Sequence, residues 1–219
     1  YFGGGTPSLM SPRLISEIIN QIDRNFNLAN DIEITLEANP SSAEYNNFKS
    51  YASSGVNRCS LGIQSLRQKD LENLGRLHSV NEALKAYAVA RYFFSSSSFD
   101  LIYGRQNQTV KEWENELDNA LDLKPQHISL YQLTVEPGTP FFLLQQKNRL
   151  PGLPSSSKAC SFYNKTKELC ENNNLIHYEI SNYASQGHKS IHNLNYWRYG
   201  DFLGIGPGAY GRISLNGQK

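Results

Sequence analysis

Apolar and polar residues alternate along several short stretches of the chain, and helical patterns separate these stretches. DIEITLEANP (31–40) and NRCSLGIQ (57–64) alternate with a period of two, which predicts strands. Between them, SSAEYNNFKSYASSG (41–55) predicts a helix that stops at a glycine. Further helices are predicted near Ser11, at 67–74, at 79–92 and at 109–123, and further strands at 99–104 and 127–133. This alternation predicts parallel strands joined by right-handed crossovers.

The two faces of the predicted strands differ in polarity. In IEITLE (32–37), the isoleucines and the leucine share one face, whereas Glu33, Thr35 and Glu37 share the other. RCSLGIQ (58–64) alternates in the same way. Parallel strands that are buried by ordinary packing are usually apolar on both faces. The polar face therefore predicts an open or partly open barrel whose interior binds a ligand, with helices covering the apolar outer face.

Polar residues recur at or near the predicted strand ends, at Thr6, Glu37, Gln64, Asp100 and Gln132. The last four are separated by 27, 36 and 32 residues, and each gap suits one strand and helix unit. In barrels of this kind the active site lies at the carboxyl ends of the strands, so we expect one ligand to contact all five. The alternative for any single residue is that it caps a helix or braces a loop.

The opening segment YFGGGTPS (1–8) carries three consecutive glycines. A strand that leads into Gly3, Gly4, Gly5 and Thr6 exposes backbone N–H and C=O groups to a ligand without a Cβ in the way. A phosphate loop is one interpretation, but no Gly-Lys-Ser/Thr follows, and no G-x-G-x-x-G with a downstream acidic residue is present. A tight structural turn is the other interpretation.

The pattern changes beyond residue 140. QQKNRLPGLPSSSKA (145–159) predicts a connection, FYNKTKELCENNN (162–174) a helix and IHYEISNYA (176–184) one strand. We therefore predict a partial barrel in residues 1–140 and a C-terminal α+β extension in residues 141–219. A second glycine-rich segment, GIGPGAYG (204–211), is expected to contact the ligand, to close the barrel mouth or to form a tight turn.

Charge and hydropathy narrow the class of protein. Lys plus Arg total 21 against 20 for Asp plus Glu, and these charges are scattered, which argues against a nucleic-acid partner. No apolar run approaches the roughly 20 residues that span a bilayer, and no secretory signal is visible. We expect a cytoplasmic protein without a transmembrane segment, and a peripheral contact with a membrane stays open.

The three cysteines, Cys59, Cys160 and Cys170, match no metal motif and no disulfide framework. Cys160 and Cys170 are predicted to share a helix, but ten residues at about 100° each place them roughly 80° apart, which is poor geometry for a shared ligand. We expect buried thiols in a reducing compartment.

Six motifs together resemble a known family. In this order, FGGGTPS, LEANP, GVNRCSLGIQS, LGRLHS, FDLIYG and HISLYQLTVEPGT resemble the radical S-adenosylmethionine (SAM) enzymes around oxygen-independent coproporphyrinogen III oxidase. The resemblance covers nearly the whole chain and implies an α/β fold, a partial (β/α)6 barrel without its first strand, with SAM lying across the strand ends. It implies that the SAM contacts are Gly4, Gly5, Thr6, Glu37, Gln64, Arg76 and Asp100.

The chemistry of these residues agrees with that assignment. SAM carries an ammonium, a carboxylate, a sulfonium and two ribose hydroxyls. Glu37 and Asp100 suit the cationic groups and the hydroxyls, and Arg76 suits the carboxylate through a forked pair of hydrogen bonds. The alternatives are that Arg76 is a surface residue and that Asp100 caps a turn.

A further segment resembles one branch of this family. HNLNYW (192–197), together with YEISNYA (178–184), is similar to the HemW branch, whose members are regarded as haem chaperones that pass haem to acceptor proteins. The resemblance implies that His192 is a haem ligand and that Tyr196 and Trp197 form an apolar wall for the porphyrin. The alternative is that His192 is a hydrogen-bonding anchor. The other histidines are expected to be structural or exposed.

The family resemblance also implies a [4Fe–4S] cluster held by a Cys-x-x-x-Cys-x-x-Cys motif. This motif is absent from the 219 residues, so we expect no cluster ligands in this chain. The chain starts at Tyr1 rather than at a methionine and ends without the winged-helix-like tail expected of many relatives. We therefore expect a fragment, cut at both ends, of a longer protein.

Three functions follow, and the sequence favours the first. The parent protein is expected to be a haem chaperone that binds SAM, a [4Fe–4S] cluster and haem. The alternative is an oxygen-independent coproporphyrinogen III oxidase of porphyrin biosynthesis. The weakest alternative is a phosphate-binding barrel aldolase or isomerase, because no lysine that could form a Schiff base lies at a strand end. Catalytic residues stay unassigned.

Overall fold

The computed structural model describes residues 1–215, apart from the side chains of Ser42 and Ala43. A short 3-10 helix, Pro7–Leu9, precedes the first α-helix. The α-helices are α1 (Pro12–Asn25), α2 (Ser42–Tyr45), α3 (Phe48–Ser53), α4 (Gln68–Asn73), α5 (Val80–Phe93), α6 (Val110–Asp122), α7 (Pro140–Gln146), α8 (Ser156–Asn172) and α9 (Ile191–Trp197). The strands are β1 (Thr35–Ala38), β2 (Arg58–Gln64), β3 (Ser96–Tyr103), β4 (His127–Gln132), β5 (Ile176–His177) and β6 (Asn182–Ala184).

The strands of the described residues form one sheet in the order β1-β2-β3-β4-β6-β5. Strands β1 to β4 run parallel, which confirms the predicted crossovers. The backbone of Phe2 lies parallel to β1, because its N–H donates to the carbonyl of Thr35 at 2.8 Å and its own carbonyl accepts from the N–H of Glu37 at 3.1 Å. The glycines that follow Phe2 therefore begin at the same edge of the sheet at which β1 to β4 end.

The predicted single strand at 176–184 is wrong. The chain reverses between β5 and β6, and these two short strands pair antiparallel with each other, while β6 pairs antiparallel with β4. The carboxylate of Glu179 stabilises the reversal by accepting hydrogen bonds from the N–H of Ser181 and from the side-chain amide of Asn182. The alternation of apolar and polar residues continues through this turn, and for that reason the sequence pattern does not reveal it.

Packing separates the two faces of the sheet as the strand patterns predict. The apolar residues of β1 to β4 are buried against the helices, together with large residues from α3, α5 and α6 such as Phe48, Tyr87 and Trp113. Two of these helices start with a capping box, in which Ser79 pairs with Glu82 and Thr109 pairs with Glu112. The result is the α/β architecture that the sequence predicts.

Several boundaries differ from the predicted ones, including the start of α8 at Ser156, which lies inside the predicted connection 145–159. The helix expected at 41–55 is split into α2 and α3, and β3 begins three residues earlier than expected, at Ser96. The early start follows from contacts inside the sheet, where the guanidinium of Arg58 donates to the hydroxyls of Ser96 at 2.9 Å and Ser98 at 3.2 Å. Small hydroxyl side chains in β3 leave room for the long side chain that β2 supplies.

Within residues 1–215, no helix combines the length and the apolar character that crossing a membrane requires.

Candidate functional site

A polar pocket of about 220 Å³ lies at the carboxyl ends of the parallel strands. Six of the seven residues expected to contact SAM line it: Gly5, Thr6, Glu37, Gln64, Arg76 and Asp100. The seventh, Gly4, lies beside the pocket, and its N–H donates to Oε2 of Glu37 at 3.2 Å. The remaining lining residues, which the sequence interpretation did not assign, are Pro7, Ala38, Asn39, Ser60 and Gly62.

The glycine-rich segment forms one wall of this pocket. Gly4 and Gly5 have φ angles of 75° and 60°, and no other atom lies within 4 Å of the position that a Cβ would occupy on either residue. Their backbone therefore takes a left-handed conformation that few side chains adopt, next to open space. Such a turn presents peptide groups to a ligand, and it also satisfies the tight-turn interpretation.

Glu37 is held by two hydrogen bonds at the mouth of the pocket. Its Oε1 accepts from the hydroxyl of Tyr1 at 2.6 Å, and its Oε2 accepts from the N–H of Gly4. Tyr1 and Gly4, which lie on the segment that runs beside β1, thereby orient both oxygens of the carboxylate. The negative charge faces the same pocket that Arg76 and Asp100 line.

Arg76 lies across the end of β2 rather than on the outer surface. Its Nη2 donates to the carbonyl of Gly62 at 3.0 Å, while its buried Nε has no partner among the described residues. A Cβ on Gly62 would lie 2.9 Å from that Nη2 and 3.0 Å from Nε2 of Gln64. Gly62 is therefore required for both polar side chains to approach the strand, a role that period-two alternation alone does not indicate.

Gln64 has a φ angle of 74°, which is uncommon for a residue with a side chain. It follows a shift in the pairing between β2 and β3. Backbone conformations of this kind cost free energy and cluster at ligand sites. The distortion places the amide of Gln64 in the pocket beside Arg76.

Asp100 borders the polar pocket from β3. Burial raises the pKa of its carboxyl group to about 7, the charge of Glu37 acts in the same direction, and a hydrogen bond from Ser129 opposes both. Its buried Oδ1 has no partner among the described residues. Asp100 is thus a proton-exchanging group near neutral pH with unused capacity to accept a hydrogen bond, and it does not merely cap a turn.

A second, smaller cavity of about 60 Å³ continues from the pocket into the interior. Glu37, Ser60 and Asp100 line both spaces. The interior cavity is enclosed by polar residues from β1 to β4, from β6 and from the start of α9, which confirms the predicted polar inner face. Its lining is Tyr1, Thr35, Glu37, Arg58, Ser60, Ser98, Asp100, His127, Ser129, Tyr131, Asn182, Ser190 and Asn193.

The prediction that Gln132 joins the other strand-end residues is wrong. Along β4, His127, Ser129 and Tyr131 line the interior cavity, whereas Gln132 lies on the opposite face with Ile128 and Leu130. Its side chain is instead next to Gly104. Strand parity, applied to β4 as it was to β1 and β2, selects Tyr131 over Gln132.

His192 lies in the first turn of α9. Its imidazole stacks on the ring of Tyr1 with 3.8 Å between centroids, and the edge of Tyr196 meets it at 4.8 Å. Burial lowers the pKa of His192, which favours the neutral form that binds metals. The carboxylate of Glu33 caps α9 by accepting from the N–H groups of Ile191 and His192 at 3.1 and 3.2 Å.

The cysteines lie apart from this region. Cys59 and Cys170 are buried, and burial raises the pKa of both thiols. Cys160 shares α8 with Cys170 as predicted, but it is exposed, so the expectation of three buried thiols is wrong for it. Among residues 1–215, no three His, Cys, Asp or Glu side chains converge in a way that could hold a metal ion.

The second glycine-rich segment forms a closed loop that does not itself line the polar pocket. Backbone hydrogen bonds between Phe202 and Arg212, at 2.8 and 2.9 Å, join its two ends. Ile205 at its tip lines an apolar groove with Ile18 and Ile22 of α1. The same groove is lined by Gly3, Gly4 and Thr6 of the first glycine-rich segment, so the expected ligand contact and the closing of the barrel mouth stay predictions.

Comparison with curated proteins finds relatives over almost the whole chain. It is 41% identical over 216 residues to the heme chaperone HemW of Haemophilus influenzae, covering 98% of this chain and 55% of that protein. It is also 41% identical over 218 residues to the mitochondrial radical S-adenosyl methionine domain-containing protein 1 of Mus musculus, covering 99% and 49%. The chain thus spans about half the length of the curated relatives it matches.

Two solved structures share the fold. Coproporphyrinogen III oxidase (HemN) of Escherichia coli, described as a radical SAM enzyme, superposes with a TM-score of 0.78 at 21% identity, covering 96% of this chain and 51% of that one. Elp3 of Methanocaldococcus infernus superposes with a TM-score of 0.63 at 17% identity, covering 76% and 44%. The family model for the radical SAM superfamily matches residues 1–120, which is more than half of the sequence. The chain therefore belongs to the radical SAM superfamily.

Proposed function

We propose that this chain belongs to a haem chaperone that binds SAM in the polar pocket, carries a [4Fe–4S] cluster on ligands outside residues 1–219 and delivers haem to an acceptor protein. The names of the bacterial relatives support the chaperone role, and membership of the superfamily supports SAM and the cluster. The observation that carries the choice between chaperone and oxidase is sequence identity, which is 41% to the heme chaperone HemW of Haemophilus influenzae and 21% to the coproporphyrinogen III oxidase of Escherichia coli.

The polar pocket fits SAM in its chemistry. Two buried polar atoms that have no partner among the described residues, Nε of Arg76 and Oδ1 of Asp100, belong to residues that line it. A guanidinium suits the carboxylate of SAM, and the carboxylates of Glu37 and Asp100 suit its ammonium and ribose hydroxyls. The left-handed turn at Gly4 and Gly5 leaves space for a ligand against the backbone. Bound SAM would supply a reactive sulfonium.

The interior cavity does not fit a tetrapyrrole. Its volume is about 60 Å³, whereas sites for drug-sized ligands have about 300–1,000 Å³. Arg58 and His127, both buried, are among the side chains that fill the space between the strands. A tetrapyrrole inside this cavity would have to displace them. This favours binding of the tetrapyrrole outside the interior cavity, whether the protein is a chaperone or an oxidase.

The outer surface at α9 suits haem. His192 offers a neutral imidazole, and large apolar side chains near it are exposed, including Ile191, Tyr196 and Trp197. Porphyrins bind to such apolar surfaces when a histidine ligates the iron.

The aldolase or isomerase alternative is the weakest. Among the described residues, no lysine lines either the polar pocket or the interior cavity.

The remaining parts of the proposal concern organisation and location. We retain the division into a barrel, residues 1–140, and an extension, residues 141–219, as a proposal. A cytoplasmic location is proposed from the bacterial relatives, with mitochondria as the alternative because the mouse relative is named as mitochondrial.

The SAM site is tested by equilibrium binding to the intact, anaerobically reconstituted protein. Glu37→Gln and Arg76→Gln should each weaken SAM binding by about 1–3 kcal/mol, because each removes a charged partner of the ligand. Arg13→Gln is the matched control, since Arg13 is exposed and pairs only with Glu17 in its own helix. Unchanged affinity in both pocket variants would remove these residues from the site.

The haem site is tested by titration of the intact protein with haem, following the Soret band. His192→Ala should alter the spectrum and lower the affinity, whereas His188→Ala, a control on the preceding loop, should change neither. An unaltered spectrum in His192→Ala would exclude ligation by this residue. Absence of haem binding by the wild type, combined with turnover of coproporphyrinogen III, would instead establish the oxidase alternative.

A further inference from the structure

Tyr1 lies between the two proposed ligand sites and contacts a key residue of each. Its hydroxyl donates to Oε1 of Glu37 at 2.6 Å, and its ring stacks on the imidazole of His192 at 3.8 Å with 17° between the planes. The backbone next to Tyr1 is fixed, because both the N–H and the carbonyl of Phe2 form hydrogen bonds with β1. The geometry therefore connects Glu37 to His192 through one side chain.

We propose that Tyr1 is a positioning residue shared by both sites, its hydroxyl orienting Glu37 toward SAM and its ring holding the imidazole of His192 for haem. This inference rests on the proposed function. It adds a residue that neither the sequence motifs nor the comparisons assign, and it makes the two ligand affinities dependent on each other.

The hydroxyl of Tyr1 orients Glu37 because a carboxylate with only one donor can still rotate. The N–H of Gly4 holds Oε2, and the phenol holds Oε1, so the plane of the carboxylate is set by both. Burial and the neighbouring charge of Glu37 raise the pKa of the Tyr1 phenol, so that it stays a donor at physiological pH. Hydrogen bonds from a hydroxyl to a carboxylate are among the stronger ones in proteins.

The ring of Tyr1 restrains His192 from one face while Tyr196 meets it with its edge. The backbone of His192 is fixed separately, since its N–H donates to Glu33. Glu33 and Glu37 are the acidic groups whose charges act on the imidazole, and both oppose the effect of burial on its pKa. Ring position and backbone position are thus held by different groups, and substitutions can separate them.

A ligand that draws Glu37 toward itself changes the acceptor of the Tyr1 hydroxyl and hence the position of the ring against His192. SAM binding should therefore change the affinity for haem. Thermodynamic linkage requires that haem changes the affinity for SAM by the same factor. Because the link passes through one hydroxyl, its removal should separate the two sites.

The binding test compares Tyr1→Phe, Tyr1→Leu and the control Tyr92→Phe, at an exposed tyrosine of α5, in the intact reconstituted protein. Tyr1→Phe should weaken SAM binding about 5- to 10-fold, as expected for the loss of one typical hydrogen bond that orients Glu37, and leave haem affinity within about twofold. It should also abolish the effect of SAM on haem affinity. Tyr1→Leu should weaken both. A Tyr1→Phe variant that binds SAM like Tyr92→Phe would overturn the proposal.

A measurement without ligands separates this proposal from the proposed function. The signal of the His192 ring, assigned with His192→Gln and recorded above pH 8 where the imidazole is neutral, should carry an upfield ring-current shift from Tyr1. Tyr1→Leu should abolish that shift, and Tyr1→Phe and Glu37→Ala should each reduce it in part. The double variant should show no further reduction, because both changes break the same hydrogen bond.

The possible outcomes are distinct. Additive effects of Tyr1→Phe and Glu37→Ala on the His192 signal, or no effect of either, would overturn the link even if SAM and haem both bind. A non-additive effect in a protein that binds neither ligand would support the link through Tyr1 and reject the proposed function alone.

Discussion

Replacing Gly62 with alanine tests whether the end of β2 is shaped for a ligand. The new Cβ would lie 2.9 Å from Nη2 of Arg76, closer than real Cβ atoms approach other atoms, and 3.0 Å from Nε2 of Gln64, which is tighter than most real Cβ contacts. Both atoms are the far ends of flexible side chains, so the backbone need not move. We expect Arg76 and Gln64 to be displaced and the hydrogen bond from Arg76 to the carbonyl of Gly62 to be weakened or lost.

The expected magnitudes differ for folding and for binding. A glycine in a strand costs roughly 0.5–1 kcal/mol relative to alanine, which offsets part of the lost hydrogen bond, so the free energy of unfolding should change by less than about 1 kcal/mol. SAM binding should weaken by about 1.4–2.8 kcal/mol, because two polar groups of the pocket move together. This corresponds to roughly a tenfold to hundredfold higher Kd.

The assay is equilibrium binding of SAM to the intact protein, with urea unfolding measured in parallel. Gly187→Ala is the control, since Gly187 has a φ angle of 85° in a loop far along the chain from these strands and has open space around it. That substitution should cost about 1 kcal/mol of stability through backbone strain and leave SAM affinity unchanged. Wild-type affinity in Gly62→Ala, or equal losses in both variants, would refute the reasoning.

Three further predictions concern buried groups. Glu116→Gln should lower the free energy of unfolding by about 1.5–3 kcal/mol in urea, because it removes one of the two carboxylates that pair with the buried Arg105 and leaves Asp70 as the other, whereas Glu114→Gln, whose partner lysine is exposed, should have little effect. The carboxyl group of Asp100 has a pKa of about 7 in the folded state, above its value in the unfolded state, so the stabilisation that it contributes at low pH is lost as pH rises toward 7. The free energy of unfolding of the wild type should therefore fall relative to that of Asp100→Asn between about pH 4 and pH 7. Iodoacetamide should alkylate Cys160 in the native protein and spare the two buried cysteines, as mass spectrometry of the peptides will report.

The sequence alone predicted the elements whose signals are local. Period-two alternation identified β1, β2 and their polar inner face, because side chains in a strand point alternately to opposite sides. Gly4 and Gly5 marked the left-handed turn, since few other residues adopt that conformation freely. The regular spacing of Glu37, Gln64 and Asp100 predicted that they would meet, because parallel strands end at one edge of the sheet.

The sequence motifs identified a pocket residue that periodicity could not identify. Arg76 follows a short helix, and nothing in its local pattern separates a pocket residue from a surface one; its assignment came from the family resemblance, and the structure brings it into the pocket. Cys160 and Gln132 were predicted incorrectly. In both cases the local sequence pattern does not show which neighbouring element packs against the helix or strand, and that neighbour decides which side chains are covered.

Only the tertiary structure decided the contacts between residues far apart in the chain. The stack of Tyr1 on His192 joins residues at opposite ends of the chain, and the ion pair of Arg105 with Glu116 fixes the loop after β3 against α6. The role of Gly62 depends on an arginine that reaches back 14 residues to its carbonyl. Periodicity reports which face of an element is buried. It carries no information about which distant side chain fills the space above that face, because that choice depends on how the strands and helices pack together in three dimensions.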